Sequence, residues 1–462
     1  MTTALKKERN GKPMKVCKFG GTSLASANQI KKVCDIITSD PHRKIAVVSA
    51  PGKRHADDTK VTDLLIATAD AHLKTGNASA EMAHVITRYA EICDDLGLNA
   101  SVKKHIQTNL ENLLTLSVTN KTKFIDTIKA AGEDNAAKIT AEYLCLCGHK
   151  ASYVNPKDAG LLLSSAFGNA RVLPISYANL QTYFANRDEI SVFPGFFGFS
   201  PDGSIVTFSR GGSDITGAIL AAATNASVYE NFTDVDSVFA ANPNIIENPV
   251  PIQEITYREM RELAYAGFSV LHEETLAPVY KAGINVNIRN TNNPNLPGTL
   301  ITPTRKQTHL PVAGIAGDKG FLSFYVNKYL MNQEVGFGRK LLQIFEEEGV
   351  PFEHMPSGID DVSVIVRESV LTDTQAQRIV DKIQTELEVD DVHISNDIAI
   401  LILVGEGMQY QVGIAAKATS SLAEAGINIE MLNQGSSEIS IMIGVKASDC
   451  DRALKALYHA FF

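Results

Sequence analysis

The chain has 462 residues, of which 44% are hydrophobic and 21% charged, and its formal net charge is −9. This length exceeds what one ordinary hydrophobic core accommodates, so we expect one large domain and smaller ones beside it. The acidic balance, and the lack of a basic stripe interleaved with aromatic residues, argue against a nucleic-acid partner.

The start of the chain and its cysteines indicate a cytoplasmic protein. Basic residues near the start are followed by no apolar segment that would make a signal peptide, and no apolar run approaches the ~18 residues of a membrane span. We therefore expect no membrane partner. The six cysteines lie in apolar contexts without a paired framework, as is typical of buried thiols in a reducing compartment. Cys145 and Cys147 lack a second cysteine pair or histidine cluster, so we predict no metal site.

The first apolar segments predict a βαβ unit. A strand that ends at Phe19, a glycine turn, a helical pattern at 27–38 and an apolar strand at 44–50 follow one another. Such a unit indicates a parallel sheet with ligand sites at the carboxyl ends of its strands. Lys18 lies at such an end, ahead of its glycines, whereas the lysine of a P-loop follows them. We expect it to face an anion, the alternative being that its ammonium reaches the surface.

A charged loop at 51–60 precedes a mostly helical region. Thr62 stands at the predicted cap of the next helix. Further on, Gly132 interrupts an alanine-rich helix, which is unfavourable unless another part of the molecule must approach closely. The adjacent Glu133 is therefore a candidate ligand contact, although a lone glutamate is more often solvated.

The most informative stretch is 209–214 (SRGGSD), between a predicted strand at 205–208 and a small-residue helix at 215–223. Its glycines let the backbone approach a ligand, and the helix N-terminus attracts negative charge. The stretch predicts a site for a phosphoryl group or a carboxylate. The alternative is a tight turn with Ser213 or Asp214 as the helix cap.

Thr233 and Asp234 end the next predicted strand, which is where a nucleotide lies in an open α/β sheet. A simple turn acid is the alternative at Asp234. A last strand is predicted near 283–289, and the Pro/Asn-rich segment 290–298 predicts a boundary.

Beyond residue 305 the pattern changes to two short, similar units. The first predicts the order βαββαβ of a ferredoxin-like fold, and the second ends one strand short, which would leave an apolar sheet edge open. We predict that the segment 312–317 crosses over and completes the second sheet. The strands of the first unit are predicted at 321–326, 350–355, 361–367 and 389–394. The predicted domains are 1–305, 306–395 and 396–462.

Together these motifs resemble the aspartokinase branch of the amino-acid kinase superfamily. The resemblance covers nearly the whole chain and rests on KFGGTS at 18–23, RGGSD at 210–214, Thr233 with Asp234, and the tandem ACT-like units. It implies an α/β fold, with a mostly parallel open sheet and helices on both faces, followed by two ferredoxin-like ACT domains. It also implies the monofunctional, lysine-sensitive type, because nothing resembling a fused homoserine dehydrogenase follows. The implied reaction is transfer of the ATP γ-phosphoryl group to the β-carboxylate of L-aspartate.

The resemblance further implies roles for individual residues. Lys18 and Asp214 would be catalytic, with ATP and Mg²⁺ required and no metal ligand among the protein side chains. Aspartate would contact Thr62, Glu133, Arg210, Gly211, Gly212 and Ser213. The nucleotide would contact Lys18, Phe19, Gly20, Gly21, Thr233, Asp234, Phe239, Asn244, Ser269 and Val270. An amino-acid effector, lysine or alternatively threonine, would contact Met331, Val335, Gly336, Phe337 and Glu353. ACT sheets would pair between chains in a homodimer or a dimer of dimers.

Three positions depart from the family's pattern. Asn244 and Ser269 stand where the family usually has a cation that faces phosphate, and Phe239 replaces a usual tyrosine. We expect Lys53 and Arg54 of the 51–60 loop to supply replacement charge, the alternative being weaker ATP binding.

Two other functions remain open at this point. A kinase for acetylglutamate or glutamate would share the sheet and the glycine turns, but not KFGGTS or the ACT pair. A non-catalytic amino-acid sensor would keep the fold without turnover, and the replacements at Asn244 and Ser269 make it conceivable.

Overall fold

The computed structural model describes residues 13–209, 211–268, 273–305 and 310–462. The chain forms two compact units. The first unit comprises Met1–Val238, Gln253–Tyr257 and Val270–Arg305, and the second comprises Phe239–Ile252, Arg258–Ser269 and Lys306–Phe462.

Two segments that the sequence places in the first domain, 239–252 and 258–269, thus belong to the second unit. Hydrogen bonds within that unit explain the difference. The backbone N–H of Ile315 donates to the carbonyl of Ala240 at 2.7 Å. The backbone N–H of Glu406 donates to the Glu259 carboxylate at 2.8 Å. These contacts join positions far apart in sequence, which local patterns do not reveal.

Both units combine α-helices with β-strands. The helices of the described residues are α1 (Ala27–Thr38), α2 (Val61–Thr75), α3 (Ser79–Leu96), α4 (Ala100–Leu113), α5 (Lys121–Leu146), α6 (Ile175–Phe184), α7 (Gly212–Thr224), α8 (Tyr257–Tyr265), α9 (Glu273–Ala282), α10 (Phe337–Glu347), α11 (Asp373–Glu386), α12 (Ile414–Glu424) and α13 (Cys450–Phe461). The strands are β1 (Lys15–Phe19), β2 (Arg43–Val48), β3 (Ala151–Tyr153), β4 (Ile190–Pro194), β5 (Phe197–Phe199), β6 (Ile205–Thr207), β7 (Val228–Thr233), β8 (Glu254–Thr256), β9 (Asn285–Asn290), β10 (Thr299–Thr302), β11 (Gly314–Asn327), β12 (Asp361–Arg367), β13 (Asp391–Val404), β14 (Met431–Gln434) and β15 (Ser440–Lys446). Along the described ranges, no helix combines the length and apolar character needed to cross a membrane.

An eight-stranded sheet forms the centre of the described part of the first unit, in the order β3-β4-β2-β1-β7-β9-β10-β8. From β3 to β9 the neighbouring strands are parallel, and β10 is antiparallel to β9. Strands β1 and β2 are nearly continuous buried apolar runs, as expected for parallel strands covered on both faces. The predicted fold class is confirmed.

One apolar core fixes the strands that lead to the candidate site. Helices α1, α2, α3 and α5 pack with β1 and β2 in this core. Helix α1 contributes Ile30, Val33 and Ile37 at helical spacing, and the Ser26 side chain caps it by accepting a hydrogen bond from the backbone N–H of Gln29. The ends of β1, β2 and α5 are therefore held rigidly with respect to one another.

The second unit contains, in its described residues, a five-stranded sheet of order β12-β11-β13-β15-β14, with antiparallel pairing throughout. Strands β11 and β13 each span 14 residues, where the sequence predicts separate shorter strands. They pair along their whole length, from Gly314 opposite Val404 to Asn327 opposite Asp391. The two ACT-like units therefore share one sheet. The segment 312–317 was predicted to cross over to the second unit. Its residues 314–317 begin β11 and pair with the end of β13.

The strand predicted at 350–355 does not form as a continuous element. His354 makes only an isolated bridge to Ile365. Pro351 lies within this segment and Pro356 follows it, and proline removes a donor that a paired strand needs.

Candidate active site

A cavity of about 520 Å³ opens in the first unit at the carboxyl ends of β1, β2 and β7. The segments that follow these strands line it, together with the start of α7. Several residues that the sequence predicts as ligand contacts line the same cavity: Thr62, Glu133, Gly211, Gly212, Ser213, Asp214, Gly20, Gly21, Thr233 and Asp234. The structure thus gathers segments more than 200 residues apart around one space.

Lys18 and Asp214 form a direct ion pair beside this cavity. The Lys18 ammonium lies 2.6 Å from Oδ1 of Asp214, and Lys18 is only 7% exposed. The sequence left open whether Lys18 faces an anion or reaches the surface. In the structure it faces a carboxylate and does not reach the surface. Phe19, the next residue, is fully buried and stacks on Phe232 with ring centroids 4.9 Å apart, so its side chain is part of the core.

The glycine turn after β1 packs directly on the segment after β2. The backbone N–H of Gly52 donates to the carbonyl of Gly21 at 2.7 Å. A Cβ atom at Gly52 would lie 2.7 Å from the carbonyl carbon of Gly21, which is closer than side chains come to backbone. The close approach brings backbone amides of both segments to one wall of the cavity.

Helix α7 begins at Gly212, and Gly211 precedes it with a φ of 72°. This left-handed conformation suits glycine, and it places Ser213 and Asp214 in the first turn. The residue at the N-cap is Gly211, so the alternative prediction, in which Ser213 or Asp214 caps the helix, is wrong. The residues of this first turn line the cavity, and a helix N-terminus favours an anion there.

Glu133 is 5% exposed, and its two carboxylate oxygens have different surroundings. Oε1 accepts a hydrogen bond from the backbone N–H of Ala50 at 3.0 Å. Oε2 is buried and has no hydrogen-bond partner among the described residues. Burial raises the pKa of Glu133 to about 7, against the weaker lowering effect of the Ala50 N–H.

Gly132 explains how Glu133 reaches the cavity. A Cβ atom at Gly132 would lie 2.8 Å from the Cβ of Ala50 and 3.2 Å from Cδ1 of Leu65. The missing side chain therefore lets α5 pack against the segment after β2, as the sequence predicts for this glycine.

Arg54, one of the two loop cations that the sequence suggests as replacement charge, is already paired with acids. Arg54 contacts both carboxylate oxygens of Asp58 at 2.9 and 3.1 Å and Glu91 at 2.9 Å, so its charge is already neutralised. Arg88 donates to Asp58 at 2.6 Å and to the carbonyl of Gly52 at 2.8 Å, which clamps the loop. The Arg54 guanidinium, followed by that of Arg88, holds the pKa of Asp58 well below its usual range.

Lys53 and Lys60 are the loop cations that line the cavity. Sequence reasoning missed Lys60, although its position in a charged loop just before Thr62 was a usable signal. Helix α2 begins at Val61 with Lys60 at the cap position, so Thr62 lies in the first turn and is not the cap predicted from the sequence.

Four predicted contacts that the structure describes are not part of the cavity lining, namely Lys18, Phe19, Phe239 and Asn244. Arg210, Ser269 and Val270 lie outside the described residues. Phe239 and Asn244 belong to the second unit, where Phe239 bridges Pro251.

The predicted effector residues lie at two places in the second unit. Met331 and Phe337 are buried in its core, whereas Val335 is 95% exposed just before Gly336, whose φ is 83°. Glu353, by contrast, accepts a hydrogen bond from the hydroxyl of Tyr265 and pairs with Nε of Arg367 at 3.2 Å.

Hydrogen bonds tie these two places to different residues of the unit. The backbone N–H of Leu330, just before the turn at 331–337, donates to Asp360, and the backbone N–H of Glu353 donates to the carbonyl of Ile365. A single effector contact set made of the turn and Glu353 stays a prediction.

Comparison with known proteins identifies the family. Residues 13–290 match the amino acid kinase family, and residues 401–461 match an ACT domain family. The chain is 53% identical over 449 residues to aspartokinase 3 of Bacillus subtilis, across 97% of this chain and 99% of that protein. The chain belongs to the aspartokinase family.

Solved aspartokinase structures agree with this assignment. The crystal structure of Clostridium acetobutylicum aspartate kinase is 40% identical and superposes with a TM-score of 0.83, covering 97% of this chain and 100% of that one. Escherichia coli aspartokinase III with aspartate and ADP is 22% identical with a TM-score of 0.78, across 97% of this chain and 100% of that one. The same protein with lysine and aspartate is 24% identical with a TM-score of 0.77, across 97% and 99%. At these identities the two E. coli structures support the fold alone.

Proposed function

We propose that the cavity at the ends of β1, β2 and β7 carries out the aspartokinase reaction. In that reaction the γ-phosphoryl group of ATP is transferred to the β-carboxylate of L-aspartate, giving 4-phospho-L-aspartate, the first step of lysine, threonine and methionine biosynthesis. The observation that carries this proposal is the buried Lys18–Asp214 pair, 2.6 Å apart beside two glycine turns, in a chain of the aspartokinase family.

Both reactants are anions, so the protein's task is to position them and neutralise their charge. The Lys18 ammonium would contact the transferring phosphoryl oxygens. Asp214 would fix the direction of that ammonium, because the two groups lie 2.6 Å apart and are mostly shielded from water. The backbone N–H groups of the glycine turns and of the first turn of α7 would bind the remaining oxygens.

Aspartate would lie between α5 and the start of α7. The unpartnered Oε2 of Glu133 would accept a hydrogen bond from the substrate ammonium, since a buried carboxylate oxygen is costly without a donor. Thr62, Gly211, Gly212 and Ser213 would complete this subsite. A role for Arg210 as the bidentate partner of the substrate carboxylate rests on the family resemblance alone.

ATP would extend from the glycine turn after β1 towards Thr233 and Asp234. Lys53 and Lys60 would add positive charge at this side of the cavity, in place of the cations missing at Asn244 and Ser269. Roles for Phe239, Asn244, Ser269 and Val270 at the nucleotide rest on the family resemblance alone.

Mg²⁺ fits this arrangement as a partner of the nucleotide. The described residues gather no group of three or more His, Cys, Asp or Glu side chains suited to a metal. Asp234 nevertheless brings a carboxylate to the cavity wall, and carboxylate with phosphate oxygens is the ligand set that Mg²⁺ prefers. Asp234 would hold the ion together with the phosphates, whose charge the ion offsets.

Control would reside in the second unit. We propose lysine as the effector, bound near the turn 331–337 where ACT sheets of two chains pair in a homodimer or dimer of dimers. The exposed Val335 and the helix that starts after Gly336 support a ligand-facing surface there. Threonine is the alternative effector. The cytoplasmic location expected from the sequence stays a prediction.

The decisive experiment measures ADP release by the purified full chain with ATP and Mg²⁺, with and without aspartate, and traps the acyl phosphate with hydroxylamine. We expect ADP release to require aspartate, and N-acetylglutamate and glutamate to be inactive. Aspartate binding by calorimetry without ADP release would instead identify an amino-acid sensor. Adding lysine to the same assay tests the effector.

A further inference from the structure

Asn231 lies opposite Lys18 in the central sheet. Strands β1 and β7 are parallel neighbours, and Lys18 is in register with Asn231. Side chains alternate along a strand, so residues in register on adjacent strands point to the same face of the sheet. Both side chains therefore meet the first turn of α7 on that face.

The two side chains share one acceptor. Nζ of Lys18 lies 2.6 Å from Oδ1 of Asp214, and Nδ2 of Asn231 donates to the same Oδ1 at 2.7 Å. Two donors on one oxygen fix the rotation of the carboxylate, because each constrains it from a different strand. Asn231 is 3% exposed, and a buried amide in a parallel strand is costly unless it is hydrogen-bonded.

A different contact anchors the helix itself. The hydroxyl of Tyr229 donates to the backbone carbonyl of Asp214 at 3.0 Å. A Cβ atom at Gly217 would lie 2.6 Å from the Tyr229 ring, so α7 packs tightly on that ring. Tyr229 thus holds α7 independently of the Asn231 amide, which contacts the carboxylate of Asp214.

We propose that Asn231 is a positioning residue for phosphoryl transfer, which acts through Asp214 on Lys18. The amide holds Asp214 in the orientation that aims the Lys18 ammonium at the phosphoryl group. Because an amide is neutral, it does so without adding a second carboxylate that would offset the lysine charge. This inference rests on the proposed function of the cavity.

Two substitutions separate orientation from charge. Asn231→Leu removes the donor at similar volume, and we expect kcat to fall about 10-fold or more while KM for aspartate stays within about 2-fold. Asn231→Asp keeps the shape and adds a negative charge, so we expect a larger loss of kcat and a higher KM for ATP, the latter sensitive to ionic strength.

Asn179→Leu is the matched control. Its amide donates to the carbonyl of Gly160 at 3.1 Å, away from the cavity, so it loses a comparable hydrogen bond without touching the site. We expect normal kcat in the folded fraction of this variant.

A double-mutant cycle distinguishes positioning from a general structural role. If Asn231 acts through Asp214, Asn231→Leu should have almost no further effect on kcat in an Asp214→Ala background. An equal loss in both backgrounds, or normal kcat in Asn231→Leu, would overturn the inference. If the parent enzyme itself shows no aspartate-dependent ADP release, the proposed function fails instead, so the two failures are distinguishable.

Discussion

Glu133 accepts a hydrogen bond from the backbone N–H of Ala50 at 3.0 Å through one carboxylate oxygen, while the other oxygen lies buried without a partner among the described residues. One oxygen thus fixes the segment after β2, and the other remains for a ligand. The carboxyl group is held at the cavity before any substrate arrives, which reduces the ordering that binding would otherwise require.

The raised pKa of Glu133 predicts how aspartate binding depends on pH. Below its pKa of about 7 the carboxyl is protonated and offers the substrate ammonium no charge. We therefore expect KM for aspartate to fall as the pH rises from about 6 to about 8. Glu133→Gln should raise KM for aspartate and remove this dependence, as initial rates over the same pH range will measure. A rise in KM for ATP in that variant, with KM for aspartate unchanged, would show that Glu133 does not belong to the aspartate subsite.

The same shift has a consequence for stability. The pKa of Glu133 in the fold is about 7 against an ordinary value of 4.5, so the unfolded chain loses this proton first as the pH rises. The contribution of Glu133 to the free energy of unfolding should therefore decrease between about pH 4.5 and 7, with no further change above. Urea unfolding of the parent and of Glu133→Gln will give their free energies of unfolding at each pH. The difference between the two values should change between about pH 4.5 and 7 and stay constant above pH 7.

Lys18→Met and Asp214→Ala should each lower kcat by about 100-fold or more, the typical loss for one electrostatic stabiliser. Lys18→Met removes the ammonium itself, and Asp214→Ala removes the carboxylate that fixes its direction. Lys44→Met is the matched control, since Lys44 pairs with the exposed Asp188 at 3.5 Å outside the cavity. Steady-state kinetics with melting curves will check the expectation. Near-normal kcat in a folded Lys18→Met protein would exclude the catalytic role.

Lys53→Ala with Lys60→Ala should raise KM for ATP, and more so at low ionic strength, because these lysines line the cavity and screening weakens their attraction for phosphate. Arg54→Ala should leave KM for ATP unchanged, since Arg54 is already paired with Asp58 and Glu91. The measurement is KM for ATP at two salt concentrations. If Arg54→Ala alone raises KM for ATP, the ion pairs with Asp58 and Glu91 do not neutralise the charge of Arg54 in solution.

Gly132→Ala should destabilise the protein even though alanine is the better helix former by about 1 kcal/mol. The added Cβ would lie 2.8 Å from that of Ala50, so α5 or the segment after β2 must shift. We expect a lower melting temperature together with a higher KM for aspartate, because Glu133 moves with the helix. Gly148→Ala is not a suitable control, because the φ of Gly148 is 86°. Glu142→Ala provides one, since Glu142 is exposed on the same helix. Unchanged melting and KM in Gly132→Ala would show that the contact relaxes freely.

Val335→Asp should abolish lysine inhibition while leaving uninhibited kcat intact, because Val335 is exposed at the turn proposed for the effector. The second ACT unit offers a matched control in Val412, which is 100% exposed and also precedes a glycine of positive φ. Val412→Asp should remain inhibited. Inhibition curves with lysine, and calorimetry of lysine binding, test both variants. Lysine inhibition that survives in Val335→Asp would remove the turn from the effector site.

Glu353→Ala should also relieve inhibition with little change in uninhibited kcat. Its carboxylate joins Tyr265 of α8 to Arg367 of β12, so its loss removes one of the ties between α8 and the sheet of the second unit. Lysine binding should survive in this variant, whereas Val335→Asp should lose it. Calorimetry on the two proteins separates transmission from binding, and loss of lysine binding in Glu353→Ala would return this residue to the ligand site itself.

The parts of the site that sequence patterns predict are those set by local rules. A lysine at a strand end and an Arg-Gly-Gly-Ser-Asp turn ahead of a small-residue helix indicate where anions bind, whatever the rest of the chain does. The unfavourable Gly132 likewise indicated a close approach. The role of each of these residues in turnover stays a prediction.

The parts that could not be predicted depend on long-range register. Asn231 reads as one polar residue in an apolar strand, and only the pairing of β1 with β7 places it opposite Lys18. Arg54 looked like a free cation because its loop is held by Glu91 and Arg88 of α3, which lie more than 30 residues further along the chain. The continuous strands β11 and β13 were predicted in pieces, since their pairing joins residues 64 to 90 positions apart, from Asn327 with Asp391 to Gly314 with Val404.

The shared sheet of the second unit bears on how this protein can be engineered. Because β11 and β13 run unbroken through both ACT-like units, a cut near residue 396 would leave half of each strand without its neighbour. Exchanging one ACT unit for that of another enzyme is therefore unlike replacing a separate module on a linker. A chimera that moves residues 310–462 as a whole keeps every hydrogen bond of that sheet, and it is the natural unit for transplanting effector control.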